Sequence, residues 1–276
     1  MNWQAFFTSL RSNLFGTMKQ SHIDGCTVVL NTAQEHGATL EQAAYILATA
    51  YGETGGRMEP IRENMNYSLS RARQVFSAKR LGPNFGALVG NPRAIANQLY
   101  NGMLGNRHGT DDGWNFRGGG LGQTTGRSNY AKGAEKFGMQ PEAFAEWNMT
   151  LPGGAMYLTR GMLEGWTTGK KLSDYINENG IDYHNARRTW NGTFAADKYA
   201  GYARHFERAL KAAGYVQQEP RQSGPVGAVV GAVTAVAASG GVASQVESID
   251  PMIAMSIALG AILFLVVVIK LKGKRK

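Results

Sequence analysis

Along the first 216 positions apolar residues recur mostly at the 3.6-residue period of helices, and strand-like alternation is scarce. The segment from Thr39 to Tyr51 is the clearest case. Thr39 and Gln42 stand at capping-box spacing, and Ala43, Ile46, Leu47 and Ala50 then fall on one face. Gly52 loosens the end of this helix and Gly55-Gly56 stops it. A second helix opens near Pro152, a favoured first-turn residue, and runs through Met156, Leu158 and Met162. A third covers Tyr202 to Ala213, with Phe206, Ala209 and Leu210 inward and Gly214 as its stop. Residues 102–127 are rich in Gly, Asn and Asp and lack periodicity. They read as a long loop, and long loops in compact domains tend to be functional. The pattern predicts a mainly α domain over 1–216.

The pattern changes near residue 217. A polar stretch with Pro220 leads into Gly, Ala, Val and Ser across 224–243, and 217–250 reads as a linker or a weak second span. Gly227 and Gly231 stand in GxxxG register, which lets helices approach closely. Positions 252–269 carry no charge over 18 residues. At about 1.5 Å per residue, such a helix covers most of a roughly 30 Å hydrocarbon core. Asp250-Pro251 starts it and a basic tail, 271–276, follows, so 251–270 is expected to be a transmembrane helix. That expectation places the chain at a membrane, the inner membrane of a bacterium or that of a virion. One pass is favoured over two, and orientation stays open.

Charge adds a constraint. The chain has 29 Lys/Arg against 20 Asp/Glu, a net +9, of which residues 1–216 hold +6. A basic surface suits polyanions, but no run of Lys/Arg interleaved with aromatics occurs in 1–216, and nucleic acid is not the expected partner. The single cysteine, Cys26, excludes an intramolecular disulfide and reads as a small buried residue. Arg11 and Lys19 interrupt the apolar residues at the start, so no secretory signal is expected there. The sequons at Asn66, Asn148 and Asn191 are accordingly not expected to be glycosylated.

Two carboxylates invite attention. Cleaving a glycosidic bond takes one carboxylic acid to protonate the leaving oxygen and a second carboxylate to activate water or attack the sugar. Glu53 ends the apolar helix, where its carboxyl would lie half in the core and half in a cleft. Partial burial favours the protonated form that a general acid needs. Glu63 follows a Gly-Gly turn and a proline, within reach across such a cleft. Spacing alone fits two solvated surface acids equally well. His108, Asp111 and Asp112 read as a flexible solvated loop, and no metal site is expected. Gly118-Gly119-Gly120 lacks the strand and lysine of a phosphate loop. Trp114, Trp147, Trp166 and Trp190 read first as core, with sugar stacking as the alternative.

Three blocks carry a resemblance. Glu53-Thr54-Gly55-Gly56 with Arg62-Glu63-Asn64-Met65-Asn66-Tyr67-Ser68 resembles the active-site segment of the family 19 chitinases and related phage endolysins. The stretch from Gly113 to Tyr130, with Arg117-Gly118-Gly119-Gly120-Leu121-Gly122-Gln123-Thr124-Thr125-Gly126-Arg127-Ser128-Asn129-Tyr130 at its heart, is similar to that family's Gly-rich motif. Arg187-Arg188-Thr189-Trp190-Asn191-Gly192 is a weaker match to its late Asn-Gly segment. The blocks occur in the family's order and span about residues 40–210.

The resemblance implies a lysozyme-like helical domain with a deep cleft, acting without metal or organic cofactor. It implies Glu53 as general acid, Glu63 as general base and Thr125 as the hydroxyl that holds the attacking water. Gln123, Asn129 and Asn191 match positions lining the sugar cleft, with Tyr67 in its wall. Inversion of configuration is implied, which asks for carboxyls about 6.5–9.5 Å apart or more. The sequence departs from the pattern at Gly52 (His in the family), Gly119 (Arg) and Thr124 (Leu). Peptidoglycan is the expected substrate, in an endolysin or a virion-associated lysin. Chitin is the runner-up, and a hole-forming membrane protein with a glycan-binding domain is the rival of another class.

Overall fold

The computed structural model describes residues 1–220. The proposed span 251–270, the tail 271–276 and the 217–250 segment beyond Pro220 lie outside the described residues. Among the described residues no helix is long and apolar enough to cross a membrane.

The described chain is mainly helical. Its helices are α1 (Trp3–Leu10), α2 (Gln20–Glu35), α3 (Leu40–Glu53), α4 (Leu69–Val75), α5 (Ala78–Leu81), α6 (Pro92–Tyr100), α7 (Asp112–Asn115), α8 (Arg127–Lys136), α9 (Pro141–Trp147), α10 (Leu151–Glu164) and α11 (Ala196–Ala212). A two-residue hairpin pairs β1 (Ile176–Asn177) with β2 (Gly180–Ile181), antiparallel.

Helix α3 is the hub. Its capping box forms as the sequence spells it: the Thr39 hydroxyl accepts from the Gln42 N–H and the Gln42 side chain accepts from the Thr39 N–H, both at 3.2 Å. The Gln42 amide also donates to the Ile176 carbonyl at 3.0 Å, tying the hairpin to the hub. The expected one-sided apolar stripe is too narrow. Every residue from Gln42 to Ala50 is buried, because α2, α10 and α11 pack around α3 on several sides. A helix enclosed in this way is buried all round. Side chains such as Ile46 and Leu47 each contribute roughly 1.5–3 kcal/mol by leaving water.

The helix expected at Pro152 is α10, capped by the Thr150 hydroxyl on the Gly153 N–H. Helix α11 starts six residues before Tyr202, at Ala196, after a left-handed Ala195 (φ +56°). It packs along α3, and Tyr199 in its first turn meets the C-terminal end of that helix. Past α11, Tyr215 donates to the Ala38 carbonyl and Gln217 to that of Gly37, so the polar stretch at 217 still lies against the turn before α3.

A smaller lobe has its own core. Met65, Ala72, Leu81, Phe85, Ile95, Ala96 and Leu99 cluster among the short helices α4 to α6, with Tyr67, Phe76 and Tyr100 packed against them. The stretch 102–127 is irregular apart from α7 and one bridge between Gly119 and Thr124. It is not the solvated loop expected around Asp112. That carboxylate is buried and takes bonds from Arg107 and Arg127, with the Arg107 backbone N–H adding a third donor. Asp111 binds Arg93 and Asn97. Cys26 is buried, as expected.

Candidate active site

Glu53 is the last residue of α3, and its side chain is 12 % exposed. The side chain is thus more enclosed than the half-core, half-cleft setting read from the sequence, and it has companions that reading lacked. Oε1 accepts from Arg187 Nη2 at 2.7 Å and from the Tyr199 hydroxyl at 3.0 Å. Arg187 is itself buried. Its Nε donates to the Phe194 carbonyl and its guanidinium lies 3.7 Å over the Tyr199 ring. Burial, and after it the Glu53 carboxylate, push the Tyr199 hydroxyl above its ordinary pKa, so it keeps its proton and donates.

Glu63 has different company. The Tyr100 hydroxyl, from the last residue of α6, reaches both carboxylate oxygens, at 2.8 and 3.0 Å. The Gly118 N–H donates to Oε2 at 3.2 Å. The backbone is clamped too: the Glu63 N–H donates to the Gly118 carbonyl at 2.8 Å and Arg117 Nε to the Glu63 carbonyl at 3.3 Å. Burial, followed by the Glu63 charge, raises the Tyr100 hydroxyl.

The Gly-rich motif forms a tight turn. Gly119 and Thr124 exchange backbone bonds at 2.9 and 3.1 Å, and Gln123 is left-handed at φ +50°. Its amide donates to the Ile61 carbonyl at 2.8 Å, pinning the approach to Glu63. Thr125 donates to the Gln123 carbonyl at 3.1 Å, and Asn129 holds the Thr125 carbonyl at 2.8 Å. Gly118 permits the whole contact: a Cβ there would stand 2.8 Å from Gln123 Oε1 and 3.3 Å from Glu63 Oε2.

A cavity of about 200 Å³ gathers Glu53, Gln123, Thr125, Asn129 and Asn191 in one wall, with Tyr157 and Trp190 beside them. Five of the seven residues singled out in the sequence thus line one space. Glu63 and Tyr67 are outside this wall. Glu63 adjoins it through Gly118 and Gln123, and Tyr67 packs on Phe76 in the small lobe, where the Glu63 charge reaches it. Trp190 is mostly buried and gives its N–H to the Gly122 carbonyl at 2.7 Å, so it shapes the wall as core. Among the described residues no group of three or more His, Cys, Asp or Glu is placed to hold a metal ion.

No protein-family model matches the chain. A Haemophilus influenzae protein described as a glycosyl hydrolase family 19 domain-containing protein is 33 % identical over 148 residues, 51 % of this chain and 74 % of that protein. The chain belongs to glycosyl hydrolase family 19. Membership supports a glycoside hydrolase acting on a glycan, and the mainly helical fold fits that family.

Two departures from the family 19 pattern have physical reasons here. Position 52 has no room for a side chain: a Cβ would lie 2.4 Å from the Tyr199 ring, the ring whose hydroxyl binds Glu53. At Gly119 a Cβ would lie 2.6 Å from the Tyr130 hydroxyl and 3.0 Å from Arg62 Nη1. A guanidinium from the Glu63 segment already fills that space, bonded to Tyr130, Glu146 and the Ala145 carbonyl. Nothing in the structure explains Thr124, which is buried beside the cavity.

Arg187, Tyr199, Tyr100 and Gly118 are the functional neighbours that sequence reasoning did not single out. Arg187 and Gly118 lie inside the matched blocks and were there to be found. Tyr100 and Tyr199 come from helices with no motif of their own.

Proposed function

We propose that the chain hydrolyses β-1,4 bonds between the amino sugars of peptidoglycan by an inverting acid/base mechanism, while anchored to a membrane through 251–270. In this reading Glu53 protonates the leaving oxygen and Glu63 takes a proton from water. Thr125 helps to hold that water, and Gln123, Asn129, Asn191 and Tyr67 contact the sugars. The observation that carries it is the common wall of Glu53, Thr125, Gln123, Asn129 and Asn191, with Glu63 adjoining across Gly118.

Each carboxylate is held by donors from outside its own segment. Orientation of this kind is what converts a carboxyl near a bond into a catalyst. An anchor at 251–270, joined to the domain through 217–250, would keep the enzyme beside its polymer and raise its effective concentration. A cell-wall role as an endolysin or virion-associated lysin follows from that pairing of hydrolase and anchor.

Mass spectrometry of purified peptidoglycan digested with the full chain tests the reading. Products with new reducing amino sugars, heavier by one water per cut, are expected. Anhydro ends would make the chain a lytic transglycosylase. Absence of cuts in peptidoglycan with cuts in chitin would move the substrate to chitin.

A further inference from the structure

The net charge of the domain is not spread evenly. Residues 1–216 hold 23 Lys/Arg and 17 Asp/Glu, and the stretch 64–110 holds six Lys/Arg with no acid at all. The small lobe therefore carries the domain's entire excess of six positive charges, and everything else in 1–216 is neutral in sum. Two of the six are answered at the lobe's border, Arg93 by Asp111 and Arg107 by Asp112. Arg71, Arg73, Lys79 and Arg80 meet no carboxylate partner among the described residues. The first three are exposed.

Part of this charge adjoins the surroundings of Glu63. The Arg80 guanidinium lies 5.4 Å from the Tyr100 ring, whose hydroxyl holds Glu63. Tyr67 packs on Phe76, the other ring beneath Arg80. Arg71 and Arg80 are both close enough to Tyr67 to oppose the rise that burial and Glu63 impose on its hydroxyl. The Arg71 guanidinium donates to Gln74, its neighbour on α4. A neutral polymer such as chitin has no use for this field. A peptidoglycan strand bears carboxylates on its lactyl groups and stem peptides, and a concentrated positive surface beside a cleft draws such a ligand in.

We propose that the 64–110 lobe is an anion-reading flank of the glycan cleft, with Arg71, Arg73 and Lys79 engaging carboxylates carried by the bound strand. The proposal rests on the hydrolase reading and names its substrate class. The lobe's charge then adds a means of substrate choice to a cavity whose polar lining is amides, hydroxyls and the Glu53 carboxylate. Exposed side chains of this kind act through long-range attraction, so their effect is largest at low salt.

The test compares the full chain with its Arg71→Gln/Arg73→Gln/Lys79→Gln variant. Both are pelleted with peptidoglycan sacculi stripped of phosphate polymers, and with the same sacculi after carboxyl amidation. The parent is expected to bind native sacculi at least ten-fold more tightly than amidated ones at low salt, and the variant to lose that preference while melting at the parent's temperature. A variant that keeps the preference, or a parent that has none, overturns the proposal. A preference that appears only on sacculi retaining their phosphate polymers overturns it too, in favour of phosphate recognition. The C-terminal basic tail is common to both chains and cancels. Reducing ends are counted in parallel on native sacculi. If the parent releases none, the hydrolase reading fails, and the binding comparison still decides the surface on its own.

Discussion

The large and small lobes hold Glu53 and Glu63 by different physics. On the large side, Glu53 sits at the end of an enclosed helix and is gripped by a buried guanidinium and a tyrosine hydroxyl. On the small side, Glu63 sits on a loop and is held by neutral donors, the Tyr100 hydroxyl and the Gly118 N–H. A charge-bearing grip in a buried site is costly to break on one side alone, since the survivor stays buried without its partner. Neutral donors fix direction without adding a charge. One family fold thus gives two glutamates two environments. The net positive charge of residues 1–216 lies in the 64–110 stretch, which holds Tyr100 and adjoins Glu63.

Substitutions can break this contrast. The largest effect is expected at Glu53→Gln, which keeps shape and hydrogen-bond acceptance but removes the proton delivered to the leaving group. Turnover of peptidoglycan should fall by roughly a thousand-fold or more, and stability should fall as well, because the buried Arg187 loses its carboxylate partner. Near-parental turnover would remove Glu53 from the chemistry. Arg187→Met comes next. It strands the Glu53 carboxylate in a buried site and should cost about 3–5 kcal/mol in urea unfolding. Combining it with Glu53→Gln should recover a good part of that loss; no recovery would mean the pair is not coupled.

Smaller effects sharpen the other side. Tyr100→Phe removes the hydroxyl that spans both Glu63 oxygens. A hydrogen bond to a charged group contributes about 1.5–3 kcal/mol to stability, so unfolding should become easier by up to that amount, and turnover should drop as Glu63 loses its orientation while KM changes little. An unchanged turnover would show that Glu63 needs no such hold. The smallest effect is at the lobe's border. Hydrogen bonds from Arg107 hold the Asp112 carboxyl at about 2, against burial that pushes it up. A depressed folded-state value stabilises above the unfolded-state value, near 4, and that stability is lost as pH falls toward 2. Arg107 is largely exposed, so only about 1–2 kcal/mol is expected. Asp112→Asn should remove it at neutral pH and flatten the dependence of stability on pH between 4 and 2. An identical acid slope in the variant would place that dependence elsewhere.

Local signals in the chain were readable where they act locally. Thr39 and Gln42 cap α3, and Pro152 and Gly214 bound α10 and α11, because caps and stops are settled within a few residues. The full enclosure of α3 was not readable, since it depends on α10 and α11 arriving from more than a hundred positions away. The early start of α11 was hidden by Gly201, which interrupts the apolar period although a Cβ there would meet nothing. The small lobe's helices are too short to show a period, and its core forms only when α4, α5 and α6 come together. Glu53, Gln123, Thr125, Asn129 and Asn191, which line one cavity, were picked out through the family resemblance. Their grips were not: Tyr199 lies 146 positions from Glu53 and Tyr100 lies 37 from Glu63.

The stereochemistry of the first product tests the central claim, that two carboxyls work from opposite faces of the sugar with water between them. Proton NMR of a soluble β-1,4 amino-sugar oligomer, recorded before mutarotation, reads the new anomeric centre directly. The account predicts that it appears as the α-anomer. A β-anomer at the outset would mean retention, with the second carboxylate attacking the sugar, and would contradict it.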